Sequence, residues 1–197
     1  PALQERFLNR IFGLRPDCRL SKMAPMNERN QTTLATEQTL FARLDALGIE
    51  HDTFRHQALH TVEESQAARG EMGESEGGHC KNLFLKDKKV VFWLFVTLEE
   101  KRVNMNVLQK TLGAARLSFG KPEFMKEYLG VEPGSVTPFA AINQSSLKVQ
   151  FVLDEEMLTH NRLHYHPLHN AATTRIKSQD LLYFLKDCGH DVRVISI

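Results

Sequence analysis

Residues 90–98 read Val-Val-Phe-Trp-Leu-Phe-Val-Thr-Leu, and no other stretch of the chain narrows the fold as much. Bulky residues without polar alternation fit a strand buried on both faces, so a sheet covered on two sides is expected. The run is far shorter than the ~20 residues that a helix needs to cross a bilayer, and no membrane span is expected. With 197 residues, 42% of them hydrophobic, the chain can bury a substantial core in one domain.

Other elements can be placed around that strand. Leu40, Phe41, Leu44 and Leu47 form one helical stripe that begins near Thr36 and stops at Gly48. Residues 49–56 alternate as a strand, and Thr61-Val62-Glu63-Glu64 has the spacing of a capping box for a helix to about Arg69. Residues 71–79 are rich in Gly, Glu and Ser and read as a loop into a strand containing Lys81. Asn104 or Asn106 caps a short helix ending at Gly113, and 115–119 reads as a brief strand or loop. Pro122 suits the first turn of a helix to Gly130. Residues 135–142, 149–153 and 192–197 read as strands, and Ser178 caps a last helix that stops at Gly189. Strands and helices mixed without strict βαβ alternation predict a single α+β domain with a mixed β-sheet core flanked by helices.

The net charge of +1 gives no general affinity for nucleic acid, so an RNA partner requires a local basic patch. Lys81, Lys86, Lys88, Lys89, Lys101 and Arg102 bracket one predicted hairpin and supply a candidate; a solvated charged surface is the commoner outcome. Cys18, Cys80 and Cys188 fit neither a disulfide framework nor a Cys-x-x-Cys zinc site, and a reducing cytoplasm is the simplest setting. Residues 1–32 begin with Pro and read as an N-terminal extension, a processed end or an added segment, with a mitochondrial presequence as the weaker alternative; the domain proper is expected over 33–197.

Chemistry concentrates in three places. Cys80-Lys81-Asn82-Leu83-Phe84 follows Gly77-Gly78-His79 and sets a cation and an amide in an apolar strand. Lys81 is either a strand lysine whose amine reaches water or a point charge for a phosphate or ribose hydroxyl. Gly134-Ser135-Val136-Thr137-Pro138 is either a plain turn or a loop that presents backbone N–H groups to a substrate oxygen. His160, His164, His166 and His169 raise the question of zinc. Only Asp154, Glu155 and Glu156 stand anywhere near as further ligands, so surface or structural histidines are expected and no metal. Cys80, Ser135, Ser145 and Ser146 are formal nucleophiles, but none lies in a Gly-x-Ser-x-Gly elbow. Cys80 should point away from the Lys81 face as a small buried thiol.

Taken together, the Lys81-Asn82 strand, the Gly134–Pro138 loop and Tyr165-His166-Pro167-Leu168-His169-Asn170 resemble the YbaK/ProX family of aminoacyl-tRNA deacylases, free-standing relatives of the prolyl-tRNA synthetase editing domain. The resemblance is strongest to the alanine-clearing ProX branch. It implies a trans-editing enzyme that removes the wrong amino acid, alanine first, from tRNA for proline. It implies Lys81 and His166 as the catalytic pair, without a protein nucleophile or cofactor. Asn82 and the Gly134 loop, with Ser135 and Pro138, would orient the ester, and Thr61, Tyr165 and Asn170 complete the implied substrate-binding set. The implied partners are mischarged tRNA and prolyl-tRNA synthetase, with neither DNA nor a membrane. The alternative is a non-catalytic module of the same fold that holds aminoacyl-tRNA or a synthetase. The long N-terminal segment and the Tyr165 and His169 neighbours depart from the family pattern.

Overall fold

The structure is a computed structural model that describes residues 34–57 and 77–197. The predicted capping box at Thr61 and the helix after it lie outside the described residues, as does the extension at 1–32. Helix α1 (Glu37–Ala46) starts at Thr36 through a reciprocal cap, in which Thr39 Oγ1 accepts from Thr36 N at 2.8 Å and Thr36 Oγ1 accepts from Thr39 N at 3.3 Å. Its buried residues, Leu40 and Leu44, face the core.

The strands are β1 (His51–Arg55), β2 (Gly78–Lys86), β3 (Phe92–Leu98), β4 (Ser118–Phe119), β5 (Val149–Asp154), β6 (Arg162–Tyr165), β7 (Ala172–Lys177) and β8 (Arg193–Ile195). They form one mixed sheet in the order β1-β7-β6-β2-β3-β5-β8, with β4 on β2. The pairs β2–β6, β3–β5 and β5–β8 are parallel and the others antiparallel. The expected mixed-sheet α+β domain is what the chain forms.

Strand β3 is buried along its whole length, as its unbroken apolar run requires. Phe92, Leu94, Val96 and Leu98 enter the larger core with α1 and with α4 (Ser178–Asp187). Trp93 and Phe95 point the other way, into a smaller core with Leu85, Val152 and helix α2 (Met105–Leu112). Asn104 caps α2, its Oδ1 accepting from Asn106 N at 3.0 Å and Val107 N at 3.3 Å, and Gly113 at φ +68° ends it. Helix α3 (Pro122–Phe124) opens on its proline and widens into a π-helical turn, Met125–Leu129.

Two sequence expectations fail, and two strands appear where none was assigned. Residues 135–142 do not form a strand: Pro138–Ile142 is a 3₁₀ helix, capped by Thr137 Oγ1 accepting from Phe139 N at 3.3 Å. Pro138 has no N–H to give a ladder, and its fixed φ suits a helical first turn. Ser178 is the first residue of α4 rather than its cap, which is Lys177; the Ser178 N–H instead donates to Asn161 O at 3.1 Å. Strands β6 and β7, which the histidine-rich reading did not separate, are present.

Candidate functional site

Strand β2 is paired unevenly on its two edges. On one edge β3 pairs with it from Cys80 to Lys86. On the other, β6 pairs only with Gly78 and His79, while β4 takes Leu85 and Lys86. Gly120 N donates to Phe84 O at 2.9 Å just before that second ladder. Between the two, the edge from Cys80 to Leu83 meets no strand among the described residues. The string that stood out in the sequence is therefore the part of β2 where the sheet splits. Divergence of neighbouring parallel strands is where open α/β sheets place their ligands.

The junction below the split is tight. A Cβ at Gly77 would stand 2.7 Å from Arg162 O and 2.9 Å from His164 Cε1, and one at Gly78 3.0 Å from His160 and Leu163 side-chain carbons. His79 and His164, partners in the last rung of the ladder, stack with ring centroids 4.2 Å apart. Extending that register by one and two residues brings Tyr165 level with Cys80 and His166 level with Lys81. These residues form the two walls of the split.

Alternation along β2 sends Lys81 to the side of Leu83 and Leu85, beside its register partner Thr97. The Lys81 ammonium donates to Glu99 O at 2.9 Å and, more closely, to Lys101 O, which leaves one of its three N–H donors. Burial lowers its pKa, and the Glu99 carboxylate partly opposes the shift. Below it lies an ionic anchor: fully buried Asp154 accepts from Thr97 Oγ1 at 2.5 Å and from Lys101 Nζ, which also pairs with Glu156 at 2.9 Å. Burial by itself would depress the Lys101 pKa; the hydrogen bonds to Asp154 and Glu156 hold it above its ordinary value.

Cys80, Asn82 and Phe84 face the opposite side. Burial pushes the Cys80 thiol up to about 12, so it is no thiolate nucleophile. Asn82 Oδ1 is buried and has no hydrogen-bond partner among the described residues. The Tyr165 ring packs edge-on against Phe139 at 5.7 Å; burial first, then the neighbouring Cys80 thiol, raise its phenol well above the ordinary value. Its hydroxyl makes no hydrogen bond of normal geometry among the described residues. Asn82 Oδ1 thus sits without a partner among the described residues next to the split, with the Tyr165 hydroxyl resting on the Cys80 thiol, an arrangement a polar substrate would satisfy.

His166 Nδ1 lies 2.9 Å from Ala172 O. A carbonyl only accepts, so Nδ1 carries a proton. Edge-on at 6.3 Å stands His56, whose Nδ1 donates to Gln57 O at 2.8 Å and whose Nε2 accepts from Thr173 Oγ1 at 2.9 Å. Sequence reasoning missed His56 and Thr173; the period-2 alternation of Ala172-Thr173-Thr174-Arg175-Ile176, read as a strand, would have pointed to Thr173. The Gly134 loop meets the Asn170 turn: at φ +86° Gly134 takes a conformation side chains disfavour, and its Cβ position lies 3.6 Å from Asn170 Nδ2. Ser135 and Pro138 are buried beneath it, with Ser135 N donating to Glu132 O at 3.0 Å. The structure thus brings Lys81, Asn82, Tyr165 and His166 to one split and joins Gly134 to Asn170, while Thr61 lies outside the described residues.

Other chemistries find little support. Ser146 touches His190 Nε2 at 3.0 Å, yet it is fully buried and its single proton is claimed by Asn143 O at 2.6 Å. Ser145 donates to Tyr128 O at 3.0 Å. Among the described residues no three His, Cys, Asp or Glu side chains gather around a common point. No helix of the described residues is long and apolar enough to cross a membrane.

Comparison with known proteins gives the family. The chain is 38% identical over 159 residues to the prolyl-tRNA synthetase associated domain-containing protein 1 of Bos taurus, covering 78% of this chain and 91% of that one. To the protein of the same name from Xenopus laevis it is 40% identical over 163 residues, covering 80% and 95%. To the prolyl-tRNA editing protein ProX of Acetoanaerobium sticklandii it is 28% identical over 162 residues, covering 82% and 97%. A solved structure, reported as a candidate trans-editing enzyme for prolyl tRNA synthetase, shares the fold at a TM-score of 0.60 with 20% identity, covering 84% of this chain and 99% of that one. The model of the aminoacyl-tRNA editing domain matches residues 56–184, from the end of β1 into α4 and across the whole split. The chain therefore belongs to the aminoacyl-tRNA editing domain family, the YbaK/ProX group that its motifs resemble.

Proposed function

We propose that this protein hydrolyses the ester of mischarged tRNA for proline, with alanine as the amino acid removed, acting in trans in the cytoplasm. The observation that carries the reading is the split beside Cys80–Leu83, walled by Lys81 and Asn82 on β2 and by Tyr165 at the end of β6 and His166 just after it, in a member of an editing family. An aminoacyl ester is already activated, so positioning and oxyanion stabilisation carry the step and no protein nucleophile is needed. In this reading the remaining Lys81 N–H meets the terminal nucleotide. Asn82 Oδ1 accepts from the substrate's ammonium, and the His166 ring, held by Ala172 O, orients the attacking water. The backbone of the Gly134 loop approaches the ester closely, and proline is excluded by the size of its ring. The experiment is deacylation of tRNA for proline charged separately with alanine, cysteine, serine and proline. Loss of alanine with proline spared is the expected result, and survival of every ester overturns the reading.

A second reading is favoured by one observation: two of the three Lys81 donors are spent on Glu99 O and Lys101 O, as in a purely structural lysine. The same fold would then hold aminoacyl-tRNA or prolyl-tRNA synthetase without turnover. Lys81→Ala separates the two. Loss of hydrolysis with tRNA binding retained supports the enzyme, and unchanged hydrolysis removes Lys81 from the mechanism.

A further inference from the structure

The lysines that bracket the β2–β3 hairpin do not form one patch. Lys81 and Lys101 are consumed at one end by backbone carbonyls and by Asp154 and Glu156. At the other end Lys86, Lys88 and Lys89 surround the hairpin turn, and the segment after α2 brings Arg116 and Lys121 against them. Ala115 N donates to Asp87 Oδ2 at 3.1 Å, Ser118 Oγ donates to Lys86 O at 3.2 Å, and Ser118 is the register partner of Lys86. None of these five cations has an ion-pair partner among the described residues, but Lys86 takes the face opposite Phe119, its amine 5.0 Å from the Phe124 ring and 5.9 Å from the Phe92 ring, which leaves Lys88, Lys89, Arg116 and Lys121 for the rim. The acid inside the turn, Asp87, is buried and turned inward: its Oδ1 accepts from Lys89 N at 2.8 Å and Val91 N at 3.0 Å. Those backbone bonds, winning over burial, keep it ionised below its ordinary pKa while they occupy its oxygens. In the middle of the row stands Phe119, 65% exposed, the most exposed of the large apolar side chains described.

We propose that this rim of Lys88, Lys89, Arg116, Phe119 and Lys121 is a docking surface for the RNA strand whose end enters the split. The inference rests on the proposed function for its choice of RNA. Two further observations favour that partner. An exposed ring beside cations without ion-pair partners provides a stacking face for a base next to charges for phosphates, the combination that single-stranded nucleic acid uses. The rim also continues the same edge of β2 on which the split opens. From Leu83 to Lys86 is about 10 Å at the ~3.3 Å rise of a strand, roughly three nucleotides at ~3.4 Å per residue of nucleic acid. A strand leaving the split along this edge meets the cations and Phe119 within its first few nucleotides.

The test measures binding of uncharged tRNA for proline by fluorescence anisotropy over a range of salt, for the wild type, Lys88→Glu/Lys89→Glu, Lys121→Glu and Phe119→Ser. Lys186→Glu, an exposed lysine on α4, is the control. Expected is at least a tenfold weakening in the double variant and a salt slope shallower by about 1 to 2, since each phosphate contact contributes ~0.7–0.9. Lys121→Glu and Phe119→Ser should weaken binding several-fold and Lys186→Glu less than twofold. Deacylation of alanyl-adenosine, too short to reach the rim, should be unchanged in the rim variants, whereas KM for full tRNA rises. Equal weakening by Lys186→Glu, unchanged binding in the double variant, or displacement of tRNA by polyglutamate at matching concentration would each overturn the proposal. The binding arm is independent of turnover. If the wild type cleaves no ester but the rim variants lose tRNA, hydrolysis falls and the surface stands; if esters are cleaved and the rim variants bind normally, the surface alone falls.

Discussion

Asn82→Leu should make the protein more stable and less active at once. Asn82 Oδ1 is buried without a hydrogen bond among the described residues, on a face shared with Cys80, Phe84 and the register partner Val96. An unsatisfied buried acceptor costs about 1–3 kcal/mol relative to a satisfied one. Leucine shares the branching of asparagine at Cγ, at a larger volume, and matches those apolar neighbours. Allowing for whatever hydrogen bonding the amide nitrogen gives up, the net gain is about 1–2 kcal/mol, or roughly 2–8 °C in Tm for a domain of this size. Urea denaturation and thermal melting of the wild type, Asn82→Leu and Asn82→Asp provide the assay. Asn82→Asp, which puts a carboxylate where an acceptor already lacks a donor, should be the least stable of the three. Deacylation of alanyl-tRNA should fall at least tenfold in Asn82→Leu. The reasoning is refuted if Asn82→Leu is less stable than the wild type, because Oδ1 must then be satisfied in solution and the polar vacancy beside the split does not exist.

Three other expectations follow from particular contacts. Gly120→Ala places a Cβ 2.4 Å from Cδ1 and 2.6 Å from Cε1 of buried Phe84, which is itself stacked on Phe92; overpacking of this kind costs about 1–3 kcal/mol, and Phe84→Leu in the same chain should restore part of the lost Tm. Lys101→Met leaves the fully buried Asp154 carboxylate without a cation, held by the Thr97 hydroxyl and a long bond from Glu156 N at 3.5 Å, at a cost of about 3 kcal/mol, and adding Asp154→Asn should recover more than half of it in urea titrations. Burial lowers the His190 pKa below its ordinary 6.5 against a hydrogen bond to the Ala141 backbone, so the unfolded chain takes up this proton before the folded one. Stability from His190 is therefore complete above about pH 7 and declines as pH falls through 6.5 toward the folded value, and Tm of His190→Asn should depend less on pH than that of the wild type between about pH 7 and 5.5.

What could be read from the sequence was what local pattern determines. The unalternating run at 90–98 specified a strand covered on both faces, and β3 is buried throughout. Thr36, Asn104, Pro122 and Gly113 set helix ends through backbone chemistry within a few residues, and all four hold. Pro138 misled because the apolar residues around it read as a strand when the missing N–H was the stronger signal. Of the site, the Lys81-Asn82 string and the Gly134 loop announced themselves by residues unusual for their surroundings. Their meeting partners did not: the capture of the Lys81 amine by carbonyls at 99 and 101, the His56–Thr173 hydrogen bond and the two-rung ladder from β2 to β6 all depend on strand register between distant segments. Register of that kind is decided by tertiary packing and leaves no local trace.

The position of β1 at the sheet's margin has a consequence for how the chain is made. Its strand partner among the described residues is β7, and the threonines that join hydroxyls across the pair, Thr53 and Thr174, are 121 residues apart in the chain. At about 5–20 residues per second of synthesis, β1 waits roughly 6–24 s on the ribosome before its partner exists. Through that interval it is a bare strand, with every backbone donor and acceptor on offer to any neighbouring chain. Its composition, His51-Asp52-Thr53-Phe54-Arg55, sets charged or polar groups on both sides of a lone aromatic. The same Asp52 that later pairs with Arg162 and Arg175 first serves to keep nascent copies apart.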